Sequence, residues 1–155
     1  MTNSEFKFRQ ARFEDIPTLL VLEQGVVEAE RPFNSSIKEV GATYYDLEEL
    51  IASENACLII VEDNGKIIGT GYSQIRESKQ SLNHEYHGYL GFMYVDPIYR
   101  GKGINKEVMD YLIDWTKGNG ITDFYLDVYA QNASAIKAYE KVGFAPCLLE
   151  MKLNL

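Results

Sequence analysis

Two β-rich runs, ACLIIVED and KIIGTGYSQIRE, flank Asn64-Gly65, and this hairpin signal constrains the fold more than any other stretch of the chain. Asn and Gly tolerate the positive φ that a two-residue hairpin turn demands. The runs are therefore predicted to be antiparallel neighbours, which excludes a purely parallel, doubly wound sheet. A polar loop, SKQSLNH, follows, and then an aromatic strand, EYHGYLGFMYVD. Gly88 and Gly91 within that strand point to a bulge or a close approach of backbone.

The flanking segments supply helices. EFKFRQARF alternates apolar and polar residues as a first strand. EDIPTLLVLEQGVV predicts a helix with Pro17 in its first turn, and RPFNSS breaks it. DLEELIAS carries Asp46 with Glu49 three residues on, a capping pattern for a second, short helix. From Ile104 a helix runs with Ile104, Val108, Leu112 and Trp115 on one face, and KGNG stops it. TDFYLDVYA alternates as a strand, NASAIKAYEKVG reads as a helix capped by Asn132 and ended by Gly143, and FAPCLLEMKLNL has strand character. The order β-α-α-β-β-β-α-β-α-β predicts one α/β domain over residues 1–155. Its sheet is mixed and mostly antiparallel, with helices on both faces.

Charge narrows the partners. The net charge is −8, which disfavours nucleic acid. Residues 13–55 hold ten acids against two bases, Arg31 and Lys38, so this segment carries the whole imbalance. No apolar run approaches the roughly 18 residues of a membrane span, and the N-terminus lacks a signal-peptide layout. No membrane partner is expected. Cys57 and Cys147 lie far apart and form no C-x-x-C pair, so a reduced, cytoplasmic protein without a metal is the expectation.

The chemistry-bearing stretch is VDPIYRGKGINKEVMDYL, Val95 to Leu112. A strand, a glycine turn and a helix in succession form a general phosphate cradle. First-turn N–H groups point outward, and the helix dipole adds positive potential. Gly101 and Gly103 let a phosphate approach the backbone, while Arg100, Lys102 and Lys106 supply full charges. The nucleotide signatures G-x-x-x-x-G-K-[ST] and G-x-G-x-x-G are both absent. A plain strand-to-helix turn explains the glycines equally well by themselves.

The same residues carry a family resemblance. Arg100-x-x-Gly103-x-Asn105, after Val95-x-Pro97, resembles the acyl-CoA-binding motif Gln/Arg-x-x-Gly-x-Gly/Ala of the GCN5-related N-acetyltransferases. Asn105 departs from that pattern, since it has a Cβ where Gly or Ala is usual. NASAIKAYEKVGF resembles the family's late motif at Asn132, Ala135, Tyr139, Lys141, Gly143 and Phe144. Neither motif is decisive alone; both in this order, with a predicted strand between, are far more specific.

The resemblance implies an N-acetyltransferase using acetyl-CoA as co-substrate. Pantetheine would pair with the backbone of Met93 and Val95. The pyrophosphate would rest on Gly101, Lys102, Gly103, Ile104 and Asn105, with Arg100 and Lys106 nearby. Asn132 and Ala135 would line the pantetheine arm, and Tyr139 would be the general acid toward sulfur. A backbone N–H near Met93 or Tyr94 would polarise the thioester carbonyl.

The base is open. Relatives often place a glutamate on the central strand, where Tyr89 stands here. His87 and Glu85 share its parity and would act through water, and Glu28 and Glu30 are further candidates from the acceptor side. The acidic lobe leans toward a small cationic amine. Protein or peptide amines, and a non-catalytic acyl-CoA-binding regulatory module, are the competing readings. CLLEMKLNL suits a homodimer contact of the kind many relatives form.

Overall fold

In the computed structural model, which describes residues 5–155, five strands form one sheet in the order β1-β2-β3-β4-β5. They are β1 (Phe6–Gln10), β2 (Ala56–Asp63), β3 (Lys66–Glu77), β4 (Tyr86–Val95) and β5 (Phe124–Tyr125). The first four pair antiparallel, and β5 joins β4 in parallel. Asn64 and Gly65 take φ of 49° and 85°, as the hairpin signal requires. The sheet is thus mixed and mostly antiparallel, as predicted.

Four helices cover it: α1 (Ile16–Glu30), α2 (Leu47–Ala52), α3 (Ile104–Gly118) and α4 (Ala133–Val142). Pro17 stands in the first turn of α1, and the Asp46 carboxylate accepts from the Glu49 N–H at 3.1 Å to cap α2. On one face Leu19, Leu22 and Val26 of α1 and Leu47 and Leu50 of α2 pack on Leu58, Ile60, Tyr72 and Phe92. On the other, Ile104, Val108 and Leu112 of α3 pack on Cys57, Ile59, Val61, Ile68, Leu90 and Val95. This two-sided burial explains why β2 is an unbroken apolar run rather than an alternating one.

The central strand carries a bulge. Tyr72 faces Gly91 and Thr70 faces Tyr94, so Phe92 and Met93 together oppose Gly71. Phe92 takes φ of 53° to make it. A Cβ on Gly91 would sit 2.4 Å from the Tyr72 ring, so only glycine fits there. The bulge sends Phe92 and Tyr94 into the α1–α2 core and Met93 toward α3.

Two expectations are corrected. The strand predicted over TDFYLDVYA is only Phe124–Tyr125, because the chain leaves β4 after that pair. FAPCLLEMKLNL forms no strand. It finds no ladder partner among the described residues, and Leu148, Leu149, Met151 and Leu153 stay exposed. Among the described residues no helix is long and apolar enough to cross a membrane.

Candidate active site

The β4–β5 ladder ends at Tyr89–Tyr125. Beyond it, among the described residues, Leu90 to Val95 has no strand on the side away from β3, which leaves backbone groups open for a ligand that pairs like a strand. The glycine turn lies where this edge ends. Gly101 and Gly103 are left-handed, with φ of 80° and 78°, and Gly103 is the N-cap of α3. No side chain caps the helix, so its first-turn N–H groups lack the usual protein acceptor. Ile104 is buried and anchors the helix start under that turn.

The charged residues around the turn are not equally placed. Arg100 Nε donates to the Val95 carbonyl at 2.9 Å, and its guanidinium carbon lies 5.5 Å from the centre of the Tyr94 ring. Arg100 therefore ties the turn to the strand end. Lys106 pairs with Asp110 at 2.8 Å on the exposed side of α3, and Lys102 is exposed. The Asn105 Oδ1 is buried without a donor, at the position that departs from the family pattern.

On α4, Asn132 Oδ1 accepts from the Ala135 N–H at 3.2 Å. The cap uses the oxygen and leaves Nδ2 for a second partner. Tyr139 is half-buried and meets Phe144 edge-on, with ring centres 6.2 Å apart. Burial, and secondarily the Glu30 charge, push its phenol above the ordinary value, so it holds its proton at neutral pH.

The opposite wall comes from α1 and the loop before α2. Glu23 is fully buried, and its Oε2 accepts from the N–H groups of Tyr44 and Tyr45 at 2.6 and 2.9 Å. Its Oε1 has no partner. Tyr45 stacks on Phe92 at 4.4 Å, directly behind the bulge. One turn beyond Val26 and Val27, Glu30 ends α1 half-buried, with the Tyr44 hydroxyl directed at its carboxylate. Asn34 Nδ2 donates to the Tyr129 hydroxyl at 2.8 Å, and Phe33 stacks on Tyr129, which closes this wall onto the segment after β5.

Tyr89 donates to Asp127 Oδ2 at 2.9 Å beneath the Arg76 guanidinium. Burial and this bond push its phenol up, so it is no base at neutral pH. His87 lies at the joined end of β4 and β5. Its Nδ1 meets the Ser78 hydroxyl at 2.8 Å, and the same hydroxyl meets His84 Nδ1 at 2.7 Å. Burial and His84 hold His87 below the ordinary imidazole range. Glu85 is exposed. Tyr139 of α4 lies within electrostatic reach of Glu30 of α1, while His87 meets Ser78, His84 and Tyr125 and Glu85 is exposed. Glu23 is a wall residue that the acidic composition of residues 13–55 hides. Its spacing from Leu19, Val26 and Val27 on the buried stripe of α1 is the signal that marks it.

This fold and cleft define a class. Residues 24–144 match the model of the Acetyltransferase (GNAT) family, and the chain belongs to that family. It is similar to the [Ribosomal protein bS18]-alanine N-acetyltransferase of Escherichia coli (strain K12), 40% identical over 50 residues, covering 32% of this chain and 34% of that protein. It is 34% identical to the glucosamine 6-phosphate N-acetyltransferase of Arabidopsis thaliana over 95 residues, 61% of each chain. The first curated relatives are matched over only about a quarter to a third of their length. A predicted acetyltransferase from Clostridium acetobutylicum, solved with acetyl-CoA, has the same fold, with a TM-score of 0.75, 22% identity and 96% of each chain covered.

Proposed function

We propose that the protein is an acetyl-CoA-dependent N-acetyltransferase that moves the acetyl group directly to a primary amine, with a small cationic amine preferred. The observation that carries this reading is the uncapped, left-handed glycine turn of α3 at the end of an unpaired β4 edge. Coenzyme A suits these residues chemically. Its pyrophosphate offers acceptors for the first-turn N–H groups of Gly103, Ile104 and Asn105. Its pantetheine offers acceptors for Asn132 Nδ2. The backbone of Met93 and Val95 would pair with the pantetheine arm, which Ala135 would line, and Arg100, Gly101, Lys102 and Lys106 would stand around the pyrophosphate.

Transfer needs a neutral nitrogen, a polarised carbonyl and a proton for sulfur. The N–H of Met93 or Tyr94, at the bulge, would meet the carbonyl oxygen. As the C–N bond forms and the C–S bond breaks, Tyr139 would give its proton to the thiolate. The acidic α1 wall favours a cation over an anion or a neutral sugar. A reduced, cytoplasmic setting and a single domain over 1–155 complete the reading. A homodimer is part of it too, since a second copy would cover Leu148, Leu149, Met151 and Leu153; mass by light scattering checks that.

The deciding experiment is thiol release from acetyl-CoA against polyamines, aminoglycosides, amino acids and N-terminal peptides. Release with a cationic small amine supports the full reading, and release with peptides alone replaces its acceptor. Binding of CoA without release from any amine overturns the catalytic claim.

A further inference from the structure

We propose that the Glu30 carboxylate receives the acceptor's ammonium group and takes its proton, which makes Glu30 the residue that selects and readies the amine. This rests on the acetyl-transfer reading above and names the missing base within it.

The placement of Glu30 argues for this. It is the last residue of α1 and lies on the stripe that includes Glu23, Val26 and Val27, so it turns inward rather than to bulk water. No cation pairs with it among the described residues. Its neighbour Arg31 is engaged elsewhere, with Glu28 at 2.8 Å and the Glu39 carbonyl at 3.2 Å. A half-buried carboxylate without a cation is an arrangement that a ligand's cation would complete.

The surroundings suit an ammonium ion. Tyr44 and Tyr45, 5.7 Å apart and edge-on, come from the loop before α2. Tyr139 of α4 feels the charge of the same carboxylate. Aromatic rings and one carboxylate favour a cation and tolerate an alkyl chain. Glu30 and the acid Tyr139 thus sit within electrostatic reach of one another, as acceptor and thioester must. Burial also holds the Glu30 carboxyl above the usual carboxylate range, closer to working pH, while the Tyr44 hydroxyl counters part of that rise. His87 instead meets Ser78, His84 and Tyr125, and Glu85 is exposed.

The step balances. The ammonium gives one proton to Glu30, and the neutral nitrogen then forms the C–N bond as the C–S bond breaks. Tyr139 protonates the leaving sulfur and regains a proton from the nitrogen as the amide forms. Glu30 releases its proton to solvent.

The test compares wild type and Glu30→Gln with the best amine of the panel and with its aminooxy analogue, which is largely neutral near pH 7. The expected loss in kcat/KM is roughly 10²–10⁴-fold with the basic amine and within about tenfold with the neutral one, with the CoA-induced rise in Tm retained. Equal loss with both amines, or no loss, overturns the role of Glu30 while transfer by wild type keeps the parent reading. No transfer by wild type overturns both. Tyr44→Phe gives a second measure that does not remove the carboxylate. It should move the acid limb of the kcat/KM profile to higher pH, and an unmoved limb counts against Glu30.

Discussion

The two flanks of the cleft are built on different principles. The α3–α4 flank presents backbone: a left-handed turn, an uncapped helix start and the unpaired β4 edge. The α1–α2 flank presents side chains: Glu23, Glu30, Tyr44 and Tyr45, drawn from a helix and a loop. Backbone recognition demands particular residues at particular spacings, because only glycine gives the required φ and approach. Side-chain recognition demands only that a charge and some rings converge, and many sequences achieve that. The difference teaches where this chain is generic for its family and where it is individual.

Tyr139→Phe should show the largest effect on the generic flank. Removing the phenolic proton leaves the ring's packing against Phe144 in place. The expected outcome is a kcat lowered by roughly 10²-fold or more, with little change in the KM for acetyl-CoA. Stopped-flow and steady-state thiol release check this, and normal turnover would move the acid elsewhere. Gly103→Val comes next. It puts a β-branched residue at φ of 78°, at a cost of about 1–3 kcal/mol in local backbone strain, where phosphate must approach. CoA affinity by calorimetry should fall about tenfold or more. Unchanged affinity would take the turn out of the site.

Tyr139 and Gly103 are legible in the sequence, as are the hairpin, the α3 start and the Asn132 cap. Each rests on a short pattern: a positive φ, an N-cap, a helical period, a motif spacing. The elements that the sequence misplaces share a different cause. The lengths of β5 and of the C-terminal strand depend on whether a neighbour offers a ladder edge, which alternation within FAPCLLEMKLNL does not reveal. Glu23 and Glu30 look in the sequence like two of ten acids on a solvated lobe. Their burial follows from the facing of α1 against the sheet, and Asp15 is likewise buried, against Arg9 at 2.8 Å. Counting charge along the chain therefore overstates the exposed acid and understates the acid that could act.

Glu23→Ala sharpens the comparison on the individual flank. The change strands the N–H groups of Tyr44 and Tyr45 and leaves a gap where the fully buried carboxylate sat. A loss of about 1–3 kcal/mol in unfolding free energy is expected, measured by urea denaturation. Glu23→Gln keeps an acceptor and should recover part of it. CoA affinity should stay near wild type in both, because the backbone flank is untouched. A parallel loss of CoA binding would mean that the two flanks are one cooperative unit rather than two devices.

The smallest effect belongs to His87, where the cleft is tied shut. Burial and His84, with Arg76 also contributing, hold its folded pKa below the ordinary imidazole value, while Asp123 works weakly against them. The sign follows from proton counting. Between the folded value and about 6.5 the unfolded chain binds more protons than the native one. Stability from this group is complete above about 6.5 and declines as pH falls through that window. His87→Gln should therefore flatten the slope of Tm against pH on the acid side while leaving the neutral-pH Tm within a few degrees. The Ser78 hydroxyl makes this a coupled pair, since it can donate to only one of the two Nδ1 atoms it meets. One imidazole must then donate to Ser78, and His84→Gln, which removes a neighbour that helps lower the His87 value, should flatten part of the same slope. An unmoved slope in the His84 variant would mean that burial, rather than this neighbour, sets the His87 shift.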